Sequence, residues 1–160
     1  MTRSRIELLQ AMPIFGGISE ETLQFLMDRA LIVEKSPDEY FFREDEKADA
    51  MFVLESGKIA VSKQWNGQDH LLKELSQGDC FGEMAMIDLS PRSASVMAIE
   101  PCSAIAIDYT NILDLHMHNL EQFTLIQMNI ARELSRRLRL SDEQLFQARF
   151  NPNQPYGSAD

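Results

Sequence analysis

Two residues of opposite charge, Glu83 and Arg92, stand close together in the run Gly78 to Val96, GDCFGEMAMIDLSPRSASV. Gly82 precedes the carboxylate, Pro91 precedes the guanidinium and Ser93 follows it. A strand ending at Phe81 would pass into a tight turn at Gly82, where the missing side chain allows close backbone approach. The short apolar stretch behind it can open a helical turn, and the unpaired N–H groups at Glu83, Met84 and Ala85 would then form an anion site. Pro91 ends that turn and presents Arg92, whose planar fork matches a phosphate in two bonds. A carboxylate is a poor neighbour for a phosphate but a good acceptor for sugar hydroxyls, so the combination suggests a ribose phosphate. Taken singly, the same residues favour a plainer reading, a salt bridge between Glu83 and Arg92 at the end of a loop, with Gly82 an ordinary turn glycine.

Other chemistries find less support. The formal net charge of -10 opposes nucleic-acid phosphates, and no basic run or zinc-finger spacing offsets it, so direct nucleic-acid binding is not expected. His70, His116 and His118 lack partners at a metal-ligand spacing, and no metal or cofactor is assigned. Cys80 and Cys102 read as small apolar residues of a reducing compartment. Neither a nucleophile elbow nor a P-loop occurs, and no catalytic residue is assigned. No apolar stretch is long enough for a membrane span and no secretory signal opens the chain, so the expected location is the cytoplasm.

The elements that must hold these residues change period twice. A short helix over Ile6–Ala11 and a second over Glu20–Ala30, capped by Ser19, come first. From Leu31 to Asp108 short β-type runs follow at close intervals: LIVEK, EYFFR, AMFVLES, KIAVSKQW, HLLKEL, ASVMAIE and SAIAID. Asn66-Gly67 accepts the positive φ of a two-residue hairpin turn, which pairs Lys58–Trp65 with Gln68–Leu75. Helical spacing returns over Thr110–His118 and from Leu120 to Ala148, with Asn119 as cap between them. The polar, Pro- and Gly-containing end, residues 151–160, reads as a disordered tail.

FGEMA and PRSASV, together with PIFGGISEETLQFL, FFRED, DAMFVLESGKIAV and SQGDCFGE, resemble the cyclic-nucleotide-binding domains of bacterial catabolite activators and of cyclic-AMP-dependent kinase regulatory subunits, over roughly Leu8 to Leu145. The resemblance implies a mainly β member of the α+β class: an eight-stranded antiparallel β-barrel, jelly-roll-like and of the double-stranded β-helix kind, with flanking N- and C-terminal α-helices. It implies one domain over 6–150, with the barrel at about 31–108 and the C-terminal helices at about 110–148. The nucleotide would lie in the barrel, its ribose 2′-hydroxyl on Glu83 and its cyclic phosphate on Arg92. The backbone around Gly82, Met84, Ala85, Ser93 and Ala94 would serve the other phosphate oxygens, and the Ser93 hydroxyl would lie near phosphate and base. Family members usually carry glycine where this chain has Asp38 and Asp45, two turn positions expected outside the ligand site.

LSRRLRLSDEQLFQARF, Leu134 to Phe150, resembles the dimer helix of the activators, without the helix-turn-helix that follows it there. Gln127, Ala131, Leu134, Leu138, Ser141, Leu145 and Ala148 alternate at spacings of four and three, a coiled-coil seam, whereas Leu120, Phe123, Ile126 and Ile130 form a stripe suited to the domain's own core. A homodimer through the second half of this helix is therefore expected. By resemblance, Ser141 and Asp142 would reach the purine, one of them from the second subunit. The functional expectation is a cyclic-AMP-preferring sensor, with cyclic GMP as the alternative ligand, signalling through its C-terminal helices to an unidentified downstream protein. The alternative is a constitutive interaction scaffold that no longer responds to nucleotide.

Overall fold

The structure is a computed structural model that describes residues 2–150. Two N-terminal helices, α1 (Thr2–Gln10) and α2 (Glu20–Met27), lead into eight strands: β1 (Leu31–Lys35), β2 (Tyr40–Phe42), β3 (Ala50–Ser56), β4 (Ile59–Trp65), β5 (Gln68–Leu75), β6 (Cys80–Phe81), β7 (Ser95–Ala98) and β8 (Cys102–Asp108). The chain closes with α3 (Tyr109–His118) and the long α4 (Leu120–Phe150), and a 3₁₀ turn, Glu83–Met86, follows β6. No described helix is long and apolar enough to cross a membrane.

The strands form two four-stranded antiparallel sheets, in the orders β1-β8-β3-β6 and β2-β7-β4-β5. This is the expected jelly-roll of eight antiparallel strands with flanking helices, its two sheets not closed into a barrel. Strands of two and three residues, β6 and β2, are too short to carry a hydrogen-bond ladder from one sheet to the other, so the sheets meet face to face through side chains.

The period of two along β3 builds two cores at once. Ala50, Phe52 and Leu54 point between the sheets, against Phe42, Val61, Phe81 and Val96. Met51 and Val53 point the other way, against Leu23 and Leu26 of α2, Ile112 and Leu115 of α3 and Ile126 and Ile130 of α4. β8 divides in the same manner, with Ala104 and Ala106 inward and Ile105 and Ile107 toward the helices. Its alanines leave room in the sandwich for Phe52 and Phe81, whose rings stack at 5.1 Å.

Local signals act as their chemistry requires. The Ser19 side chain accepts from the Thr22 N–H at 3.2 Å, and that of Asn119 from the Gln122 N–H at 3.1 Å. Asn66 (φ 51°) and Gly67 (φ 76°) turn the β4–β5 hairpin, with Trp65 opposite Gln68. Asp38 and Asp45 take φ of 68° and 67°, the left-handed geometry that aspartate tolerates in place of glycine. α2 stops at Met27, sooner than its apolar spacing suggested, because the chain turns through Asp28–Ala30 into β1.

In α4, Ile126 and Ile130 are fully buried and Phe123 and Leu134 pack beside them, but Leu120 is exposed and does not extend the stripe. Beyond Leu134 the helix leaves the core, and Leu138 and Leu145 stand in solvent. The segment expected to be a disordered tail, 151–160, lies outside the described residues.

Candidate functional site

Gly82, Glu83, Met84, Ala85, Arg92, Ser93 and Ala94 all line one cavity of about 230 Å³. Its floor is apolar, formed by Phe42, Val61, Leu75, Phe81 and Val96 of the sandwich interior.

Arg92 is buried at 6% exposure. Its Nη2 donates to the Ala50 carbonyl at 2.7 Å and its Nη1 to the Gly82 carbonyl at 3.3 Å, while the guanidinium lies 4.0 Å from the Phe42 ring centre. Its Nε is buried without a protein partner. Burial pulls the Arg92 pKa below its ordinary value, against the opposing fields of Asp49, Glu46 and Glu83. An arginine keeps its charge even so. Among the described residues it hydrogen-bonds to carbonyls and pairs with no carboxylate, so the cavity holds a positive charge that an anion would complement.

The loops around it are built to keep it there. The Asp45 N–H donates to the Arg92 carbonyl and the Arg92 N–H to the Glu46 carbonyl, each at 2.8 Å. The Asp45 turn, expected to lie outside the ligand site, thus fixes the backbone of its central residue. Gly82 has φ 72°, and a Cβ there would sit 2.6 Å from Arg92 Nη1 and 3.2 Å from the Ala50 carbonyl oxygen. Only glycine lets the turn and the guanidinium come this close. Outside the cavity lining, Lys63 Nζ donates to the Ser93 carbonyl at 2.9 Å.

Glu83, only 3% exposed, does not pair with Arg92 as a simple loop salt bridge would. It is held by Arg137 Nη1, from the fifth turn of α4. Arg137 also donates from Nε to Glu133 Oε1 at 3.2 Å, and Cys80 Sγ lies 3.9 Å from its Nη2. Burial works against the Arg137 charge, but Glu83, Cys80 and Glu133 outweigh it and raise its pKa. Burial, with the nearby Glu83 carboxylate, pushes the Cys80 thiol up to about 12.

Arg137 is the cavity-lining residue that sequence reasoning missed. The signal was present: from the buried Ile126 and Ile130 the same helical face continues to Arg137, and a cation on a core-facing stripe demands a buried acid. Ser141 and Asp142 lie one turn further along, exposed, and do not line the cavity of this chain. Among the described residues no group of three or more His, Cys, Asp or Glu is placed to hold a metal.

The fold is a jelly-roll sandwich with flanking helices, whose cavity holds a buried arginine beside a glycine-initiated turn and a carboxylate. The chain belongs to the cyclic nucleotide-binding domain family, whose profile matches residues 32–119. It is 29% identical over 141 residues to the cyclic AMP receptor protein of Thermus thermophilus, covering 86% of this chain and 62% of that protein. It is 31% identical over 94 residues to human cGMP-dependent protein kinase 2, covering 58% of this chain and 12% of the kinase.

The crystal structure of Thermus thermophilus catabolite activator protein superposes with a TM-score of 0.75 at 28% identity, over 86% of this chain and 63% of that one. A cyclic nucleotide-binding domain from Methylobacillus flagellatus shares the fold, with a TM-score of 0.78 at 21% identity over 99% of this chain and 86% of that one. The chain thus spans less than two thirds of the length of the bacterial receptor proteins it matches.

Proposed function

We propose that this domain is a cyclic-AMP sensor: it binds the nucleotide in the sandwich cavity and reports occupancy through α4. The observation that carries this reading is Arg92, a buried cation that stacks on Phe42, pairs with no carboxylate among the described residues and lines a cavity with an apolar floor. A cyclic phosphate supplies one negative charge and two exocyclic oxygens to such a fork. The backbone at Gly82, Met84, Ala85, Ser93 and Ala94 surrounds the same position, and Glu83 accepts from the ribose 2′-hydroxyl. Cyclic AMP is preferred over cyclic GMP on the strength of the similarity to the Thermus protein, which extends over far more of the chain than that to the cGMP-dependent kinase.

The role is one of binding rather than catalysis, in the cytoplasm, where the buried free thiols Cys80 and Cys102 stay reduced. No cofactor, metal or direct contact with nucleic acid forms part of it, and the signal passes to a downstream protein. The domain works as a homodimer through α4, since Leu138 and Leu145 otherwise leave an apolar stripe in water. Ser141, between them on the seam, reaches the base of the nucleotide held by the second copy.

Thermal melting with each nucleotide tests the reading. Saturation at 100 times the dissociation constant stabilises a binding domain by about 2.7 kcal/mol, with the larger shift at equal concentration expected for cyclic AMP. A larger shift with cyclic GMP would reverse the ligand assignment, and no shift with either would leave the scaffold reading.

A further inference from the structure

We propose that Lys63 is a positioning residue for the ligand phosphate: with Glu44 it takes the place of a missing backbone rung between β4 and the run Arg92–Ala94, and so fixes the peptide groups that meet the anion. The proposal rests on the proposed function in one respect, the placing of the cyclic phosphate against that run.

The missing rung follows from the ladder. β4 and β7 pair from Ile59↔Ala98 to Ser62↔Ser95. The Ile99 N–H donates to the Lys58 carbonyl at 2.9 Å, and in an antiparallel pair the bonded rungs fall on every second residue. The rungs therefore pass through Ala60–Met97 and Ser62–Ser95, and the next would join Gln64 to Ser93. β7 begins only at Ser95, and the Gln64 N–H donates instead to Glu44 Oε2 at 3.0 Å. The Ser93 carbonyl accepts from Lys63 Nζ at 2.9 Å. Lys63 Nζ also lies 2.8 Å from Glu44 Oε1, so an ion pair joins the two ends of the lost rung into one circuit. The Glu44 N–H completes it by donating to Ser95 Oγ at 2.9 Å. Lys63, helped by the Gln64 N–H, holds the Glu44 carboxyl below the usual carboxylate range, and the pair keeps its charges at neutral pH.

This circuit acts on the groups that an anion needs. Asp45 and Glu46 hold the carbonyl and the N–H of Arg92, and Lys63 holds the carbonyl of Ser93. Ser93 and Ala94 line the cavity, and among the described residues their N–H groups have no partner. A trans peptide sets its N–H opposite its carbonyl, so the Ala94 N–H is turned away from Lys63, which stands outside the cavity lining. An ammonium on the carbonyl also polarises that peptide and makes its N–H a stronger donor. A backbone rung to Gln64 would have consumed the Ser93 N–H as well. Two side chains in its place hold the strand and leave that donor for a ligand.

The test removes the ammonium and keeps most of the stem. Lys63 is half exposed, so Lys63→Met should melt close to the wild type. Its affinity for cyclic AMP, measured by calorimetry, should fall about three- to tenfold, the scale of a charge-assisted bond at a partly exposed site. The loss should persist in about 1 M salt, where a Debye length of ~3 Å screens the general field of a surface charge. A loss that vanishes in salt reduces Lys63 to a distant charge and overturns the proposal. Glu44→Gln keeps an acceptor for the Gln64 N–H but gives up the ion pair, so it should weaken binding by itself and add little on top of Lys63→Met. Additive losses overturn the circuit. The Ala94 amide proton reports without ligand: its NMR resonance should move upfield in Lys63→Met, and an unmoved resonance overturns the polarisation. Calorimetry also separates the two levels. Equal affinity in wild type and Lys63→Met sinks the positioning role alone, whereas no binding of either cyclic nucleotide to the wild type sinks the functional reading and the positioning role with it.

Discussion

Arg137 on α4 and Glu83 at the mouth of the sandwich are 54 residues apart in the chain and form one ion pair across the cavity. That contact joins the ligand site to a helix whose further turns leave the core. Arg92, by contrast, makes its side-chain hydrogen bonds to the Ala50 and Gly82 carbonyls and none to α4.

Arg92→Ala should weaken nucleotide binding by about 2–5 kcal/mol, the usual cost of removing one partner of a buried charge pair. Arg92→Lys should lose nearly as much, because the ammonium keeps the charge without the fork that reaches the Gly82 and Ala50 carbonyls. Both variants should stay folded: Arg92→Ala removes a desolvated charge, and Arg92→Lys keeps a charge at the same position. Calorimetry on each decides the point, and wild-type affinity in Arg92→Ala would refute the site.

Gly82→Ala should reduce affinity more than stability. Its backbone would cost about 1–2 kcal/mol in the left-handed region, and its methyl group would push on the Arg92 guanidinium. In the double variant with Arg92→Ala the clash is gone, so the melting loss from Gly82→Ala should shrink. Additive losses would show that the guanidinium and the turn are not in contact.

Cys80 makes stability fall in alkali. Its thiol is held at about 12 in the folded chain against a reference of 9.0, so the protonated form is favoured by folding. Its contribution is complete below pH 9, where both states carry the proton, and is lost as pH rises from there toward about 12. Chemical denaturation at pH 8 and pH 10.5 should show a larger loss for the wild type than for Cys80→Ala. Equal losses would mean that the thiol is solvated.

Leu138→Glu should leave the melting temperature of the isolated chain nearly unchanged, because Leu138 is 62% exposed there, but it should abolish self-association. Light scattering at tens of micromolar (roughly the range where a weak specific dimer forms) reads the variant and the wild type directly. A Leu138→Glu dimer, or a wild-type monomer, would show that α4 serves its own chain alone.

What the sequence determined by itself is local in range. Alternation along β3 and β8, the Asn66-Gly67 turn, the caps at Ser19 and Asn119 and the order of residues from Gly82 to Ala94 each depend on neighbours within a single element or turn. Their chemistry is therefore written in consecutive residues, and the same compact run carried the resemblance to the family. Tertiary structure alone decided how the eight strands divide between two sheets, with the short β2 and β6 at their edges. It also turned Arg92 inward onto Phe42, made the Asp45 turn the anchor of that residue, and brought Arg137 rather than Ser141 or Asp142 to the cavity. These outcomes depend on where distant segments cross, and a charge far along a helix finds its partner only once the packing of Ile126 and Ile130 has set the helix against the sheet.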